Sequence, residues 1–345
     1  MIDKKIFNIK NLFTNIILFL FILVVFLNHT HNSIDPYYKI NLKHNNENVY
    51  LKKENLSIKK DISENLISNK SYDTILNREC KLTGDLHDRH KVRWVKAIFL
   101  KNIFNLSDKI GSSMPYYVNI LIHSLFLFLS LVLLNKTFSL DKKYILLFLI
   151  YIIFIFQQYL SEYSYSIFET FFLSLSLYAS KNKKSLLFVS SCILAILNRE
   201  SGFLILITWL IFNKDYRKFL FFSFICLIVF VLLNFDILKC LLNPKFFVPL
   251  ESQKGQVNFS DLTNIGIFSI SKLLFTNFIL PFGLGIYYLI KTNNKNFFLS
   301  SLLIVYLLIF LFATPLHHIS VRLVLIPLIF TAIYFYQKEK SSVNA

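Results

Sequence analysis

The chain has 345 residues, 55% of them hydrophobic, with 38 Phe against only 7 Gly and 7 Pro. This excludes a disordered, collagen-like or low-complexity chain, and four Cys exclude a disulfide scaffold. The formal net charge is +17, yet the apolar residues come in long runs nearly free of charge, close to the ~20 residues that match a bilayer core, so the excess is not read as nucleic-acid binding.

Lys4, Lys5 and Lys10 precede a first apolar stretch, 12–27. A signal peptide begins this way, but no small-x-small cleavage site follows. The expectation is an uncleaved first span with its N-terminus in the cytoplasm. Residues 28–113 then form a long loop with 15 basic and 10 acidic residues. Its stretch 41–70 is polar and weakly structured by composition. From Lys91 onward Val92, Val95, Ile98, Phe99 and Ile103 interleave with Lys91, Arg93, Lys96 and Lys101. That spacing predicts an amphipathic helix lying flat on the outer leaflet, basic face toward lipid phosphates.

Further apolar stretches follow at 114–134, 144–160, 167–180, 185–197, 202–212, 219–235, 265–290, 296–314 and 321–336. With the first this makes about ten spans. The predicted fold is an all-α, polytopic transmembrane helical bundle forming one integral membrane domain over residues 1–345. The connections alternate in charge. One side receives Lys4, Lys5, Lys10, Lys136, Lys142, Lys143, Lys181, Lys183, Lys184, Lys214, Arg217, Lys218, Lys291, Lys295, Lys338 and Lys340, with only Asp3, Asp141, Asp215 and Glu339 as acids. Short basic loops mark the cytoplasmic side. The other side holds the 28–113 loop, a second loop at 236–264 and three short turns.

Polar exceptions collect at the outer ends of the spans. Charge at membrane depth is costly and points to function. The first group is Asp85-Leu86-His87-Asp88-Arg89-His90. Asp85 or Asp88 suits a general base, with Arg89 beside them. The same carboxylates and imidazoles could hold a divalent cation, though no spacing is diagnostic and no metal ligand is assigned. The alternative is a self-paired charged turn. The second group is Asn198-Arg199-Glu200-Ser201, where Arg199 suits a phosphate. Its alternative is an Arg–Glu pair capping two short helices. The third contains His317, His318 and Arg322. His318 and Arg322 are four apart and share a helical face, for phosphate contact or for an arginine reaching outward to the interface. The fourth is Glu162 and Glu169, two helical turns apart, as ligand groups or as partners for Arg199 or Arg322. His123 and Asn119 suit helix–helix hydrogen bonds, and Cys192 and Cys226 suit ordinary burial.

The plan resembles the GT-C superfamily of multi-spanning glycosyltransferases. The resemblance rests on the acidic stretch Asp85–Arg89 in the first outer loop, on Leu197-Asn198-Arg199-Glu200-Ser201-Gly202 mid-chain, and on the late Arg322 with Pro327. It implies transfer of a sugar from a polyprenyl-phosphate carrier on the extracytoplasmic face of a membrane, here a bacterial inner membrane. The acceptor would be a glycan, a lipid or a protein. It implies Asp85 or Asp88 as the base on the acceptor hydroxyl, and Arg199 or Arg322 on the carrier phosphate. Direct attack would invert the anomeric centre. Two departures stand out. The acidic pair falls about sixty residues after the first span, and no soluble domain is expected after Tyr336. A polysaccharide polymerase and a transporter or flippase for lipid-linked glycans are the competing readings.

Overall fold

The computed structural model describes residues 9–32, 93–138, 165–238 and 325–343, together with a few isolated positions. Among the described residues every regular element is helical. In chain order these are α1 (Ile9–Asn32), α2 (Trp94–Asp108), α3 (Met114–Phe138), α4 (Tyr165–Lys181) and α5 (Ser185–Asn198). A 3-10 segment (Glu200–Leu206), α6 (Ile207–Asn213), α7 (Tyr216–Leu233), a short 3-10 turn (Phe235–Ile237) and α8 (Leu325–Val343) follow.

Two of these helices, α3 and α7, are long and apolar enough to cross a membrane, with mean hydropathies of 2.2 and 2.1. Helix α7 also leaves Leu220, Phe221, Phe224 and Leu232 each 59–68% exposed. A contiguous apolar flank of that kind suits hydrocarbon better than water. The 14-residue α5 rises only about 21 Å, short of a ~30 Å hydrocarbon core. The predicted spans at 144–160, 265–290 and 296–314 lie outside the described residues apart from isolated positions, and so does most of the 236–264 loop. The expected span at 202–212 is not one α-helix: it begins in the 3-10 segment and turns α-helical only at Ile207.

Helix α4 is the centre of the bundle and packs against α3, α5, α6 and α8. Its buried face is built from small hydroxyl residues: Ser166, Thr170, Ser174, Ser176 and Ser180. Such residues let helix backbones approach closely. Several hydroxyls return to carbonyls four residues back, Thr170 to Ser166 and Ser174 to Thr170, both at 2.8 Å. Others join neighbouring helices. Ser176 meets Ser191 of α5 at 2.6 Å, and Ser180 donates to the Thr208 carbonyl of α6 at 3.0 Å. Aromatic rings fill the remaining seams. Phe126 of α3 lies 4.5 Å from Phe168 of α4, and Trp209, Phe188 and Phe222 form a triangle of rings, Trp209 lying 5.1 and 4.9 Å from the other two.

Helices α3 and α4 run in the same direction. Lys181 Nζ donates to the Thr137 carbonyl at their C-terminal ends, while the His123 ring meets Phe168 near their beginnings. Helix α5 runs back, and the 3-10 segment with α6 runs forward again, so the bundle has two distinct ends. One end gathers Lys136, Lys181, Lys183, Lys184, Lys214, Arg217 and Lys218, with Asp215. Its turns are tight: Lys183 and Lys214 adopt positive φ of 55° and 50°. The Lys184 N–H closes the α4 terminus on the Ala179 carbonyl at 2.9 Å, and Asp215 caps α7 by accepting from the Lys218 N–H at 3.1 Å. Three of the basic loops anticipated from charge therefore meet at one end.

Helix α2 forms where the periodicity predicts, but its faces are turned. Lys96 is 2% exposed and packs inward with Ala97, Leu100 and Phe104, while Ile98 and Phe99 are about two-fifths exposed. The expected outward basic face is therefore corrected at its centre. Lys96 and Arg93 find partners on α4 and the 3-10 segment, contacts that no local periodicity carries.

Candidate functional site

The end of the bundle opposite the lysines is assembled from the first turn of α2, the first turns of α4 and the junction of α5 with the 3-10 segment. That junction is set by Arg199. Its backbone is extended (φ −164°, ψ 145°), so the helical path breaks for one residue. The Arg199 N–H still donates to the Ala195 carbonyl at 2.9 Å, and the Gly202 N–H to the Arg199 carbonyl at 2.8 Å. The break lets Arg199 and Ser201 reach one carboxylate while Glu200 turns to a different neighbour.

Arg199 Nη1 lies 3.4 Å from Glu169 Oε2, and Ser201 Oγ donates to the other oxygen of the same carboxylate. Both Glu169 oxygens are thus engaged at a fully buried position. Arg199 also makes a long contact, 3.5 Å, to Ser166 Oγ. Glu200 turns away and accepts from Arg93 Nε at 2.8 Å, joining α2 to the 3-10 segment across 107 residues of sequence. Asn198, wholly buried, donates through Nδ2 to the Tyr165 carbonyl at 3.1 Å. The Tyr165 ring is covered by cations, with Lys96 Nζ 4.0 Å from its centre and the Arg93 guanidinium 6.0 Å away.

Arg199 and Glu200 are therefore not each other's partners, as a capping pair would be. Of the two roles weighed for Glu169, the one seen is partner to Arg199. Asp85, Asp88, Arg89, Glu162, His317, His318 and Arg322 lie outside the described residues. Sequence reasoning passed over Arg93 and Lys96, assigning both to a lipid-facing surface. One signal was present: Arg93 is one of only six Arg beside 31 Lys. Asn198 and Ser201 were read only as neighbours of Arg199, and His123 as a bridge between helices. Its Nδ1 instead faces the Asn119 carbonyl of its own helix at 2.7 Å.

Among the described residues no group of three or more His, Cys, Asp or Glu is placed to share a metal ion. What the cluster offers is charge. Two arginines, a lysine and two carboxylates converge from three regions of sequence, and Arg199 keeps a 12% exposed side chain. No protein-family model matches this chain, and neither a curated protein nor a solved structure does.

Burial holds the Lys96 amine far below its usual value, at about 7. The sign of the resulting pH dependence follows from proton counts. Between pH 7 and 10.5 the unfolded chain binds this proton and the folded chain does not, so stability rises with pH across that window. Below pH 7 the cost of burying the charge is fully present. Lys96→Met is accordingly expected to raise the melting temperature at pH 6 and to lose that advantage by pH 10. Equal shifts at both pH values, by scanning fluorimetry, would show that Lys96 is not buried as a charge.

Proposed function

We propose that the chain is a multi-pass membrane glycosyltransferase of the GT-C type, moving a sugar from a polyprenyl-phosphate carrier to an acceptor hydroxyl. In this reading the lysine-rich end faces the cytoplasm, following the bias of short basic loops, and the Arg–Glu cluster faces the opposite side. The observation that carries it is the convergence of Arg93, Lys96, Arg199, Glu169 and Glu200 at the end away from the lysines. A phosphodiester leaving as a phosphate monoester gains negative charge. Preorganised cations in a water-poor site stabilise that change more than water does. Glu169 serves here by fixing the Arg199 fork rather than by taking a proton, since both its oxygens are occupied. The proton of the acceptor falls to Asp85 or Asp88. Attack is direct, with inversion at the anomeric carbon and no covalent sugar–protein intermediate.

The test is turnover by the purified full chain with a panel of polyprenyl-phosphate sugars. Asp85→Ala combined with Asp88→Ala is expected to slow transfer by about 10²- to 10⁴-fold. Undiminished turnover in that double variant removes the proposed base. An inert wild-type chain across the whole panel removes the transferase reading.

A further inference from the structure

Two buried hydrogen-bond acceptors flank the first turn of α4, and among the described residues none satisfies them. The first is His123 Nε2. The ring is 1% exposed, and its Nδ1 faces a carbonyl at 2.7 Å. A carbonyl can only accept, so Nδ1 carries the proton and Nε2 presents a bare lone pair. Among the described residues that lone pair has no partner. The second is Asn198 Oδ1. The amide nitrogen is committed to the Tyr165 carbonyl, and the oxygen is buried with no partner among the described residues. The His123 ring stands edge-on to Phe168 at 6.0 Å, and Asn198 is tied to Tyr165. Tyr165 and Phe168 are three residues apart and lie on one side of α4. The donors nearby belong to α2: Lys96 sits over Tyr165 and interacts electrostatically with His123, and Trp94 Nε1 is buried and unpartnered.

An unsatisfied buried acceptor forfeits a hydrogen bond it held in water. The chemistry that repays two of them is a group with several O–H donors. A phosphodiester has none, and its oxygens would oppose both lone pairs. A sugar ring has donors for the lone pairs and acceptors for Lys96 and Trp94.

We infer that this turn is the sugar subsite of the lipid-linked donor, with His123 Nε2 and Asn198 Oδ1 accepting from ring hydroxyls. The inference rests on the transferase reading and separates the sugar from the carrier phosphate, which goes to the arginines.

Binding to the full chain is read by Trp94 fluorescence in a Trp209→Phe background, the chain having only these two Trp. The probes are polyprenyl-phosphate glucose, galactose and mannose, and the polyprenyl monophosphate without sugar. His123→Phe, which keeps the ring against Phe168, is expected to weaken the best glycosylated probe about 10-fold. The bare carrier is expected to stay within about two-fold, and His123→Gln, which restores an acceptor, to recover most of the loss. Equal losses for both kinds of probe, or no loss for either, overturn the subsite while leaving the transferase reading in place. A wild-type chain that takes the bare carrier but no glycosylated probe also overturns the subsite. Failure of the wild type to take any probe overturns the transferase reading itself.

Discussion

Gly202→Ala is expected to prevent the chain from reaching its folded state in useful amounts. A Cβ at residue 202 would stand 2.4 Å from the Ala195 carbonyl carbon, 2.5 Å from the Ile196 nitrogen and 2.6 Å from the Ala195 oxygen. All three are backbone atoms of α5, so no rotamer change relieves the overlap. The 3-10 segment would have to lift from α5, taking with it Ser201, which binds Glu169, and Glu200, which binds Arg93. Ile205, also fully buried, is three residues along the same side of the segment and would be drawn from the core. A cost of at least about 4 kcal/mol is expected, in the exceptional range for one substitution. The measurement is the yield and melting temperature of monodisperse protein by fluorescence-detected size exclusion. A variant that melts within two or three degrees of the wild type would show that the segment does not lie this close.

Glu169→Ala is expected to be the most damaging change within the charge cluster. It leaves the Arg199 guanidinium, 12% exposed, without its carboxylate, and strands the Ser201 hydroxyl. Breaking a buried pair from one side costs about 3–5 kcal/mol. Arg199→Ala should cost less, because a carboxyl left alone can take a proton while a guanidinium cannot shed one. Replacing both residues, Arg199→Met with Glu169→Leu, should return most of the stability and none of the activity. That pattern separates a catalytic requirement from a structural one. Thermal melts of the four proteins, with turnover on the donor panel, supply the comparison. Full activity in the double variant would remove Arg199 from the phosphate site.

How far the sequence reaches can be judged from these same residues. The helices α3, α4, α5 and α7 are legible as charge-free apolar runs, since burying or immersing such runs is the only economical outcome for them. The gathering of Lys136, Lys181, Lys184 and Lys218 at one end follows from counting connections. The Glu169–Arg199 pair was legible as an alternative, because a lone carboxylate among Phe and Leu needs a cation. The Arg93–Glu200 pair was not, because 107 residues separate its members and neither has a distinctive local context. Lys96 misled for a different reason. An amphipathic pattern says which side of a helix is polar, but not whether that side meets water, lipid or the protein interior. The turn of α2 that buries Lys96 and exposes Phe99 is fixed by Tyr165, whose position depends on the whole bundle.

The 3-10 segment has a mechanical consequence. Seven residues in this winding rise about 2.0 Å each, against about 1.5 Å in an α-helix. Rewinding Glu200–Leu206 would shorten the segment by about 3.5 Å and swing Glu200 and Ser201 around the axis, breaking both of their contacts at once. The close seat of Gly202 on Ala195 fixes the segment at that length. Its release would carry the two residues as one load over a distance comparable to a single hydrogen bond.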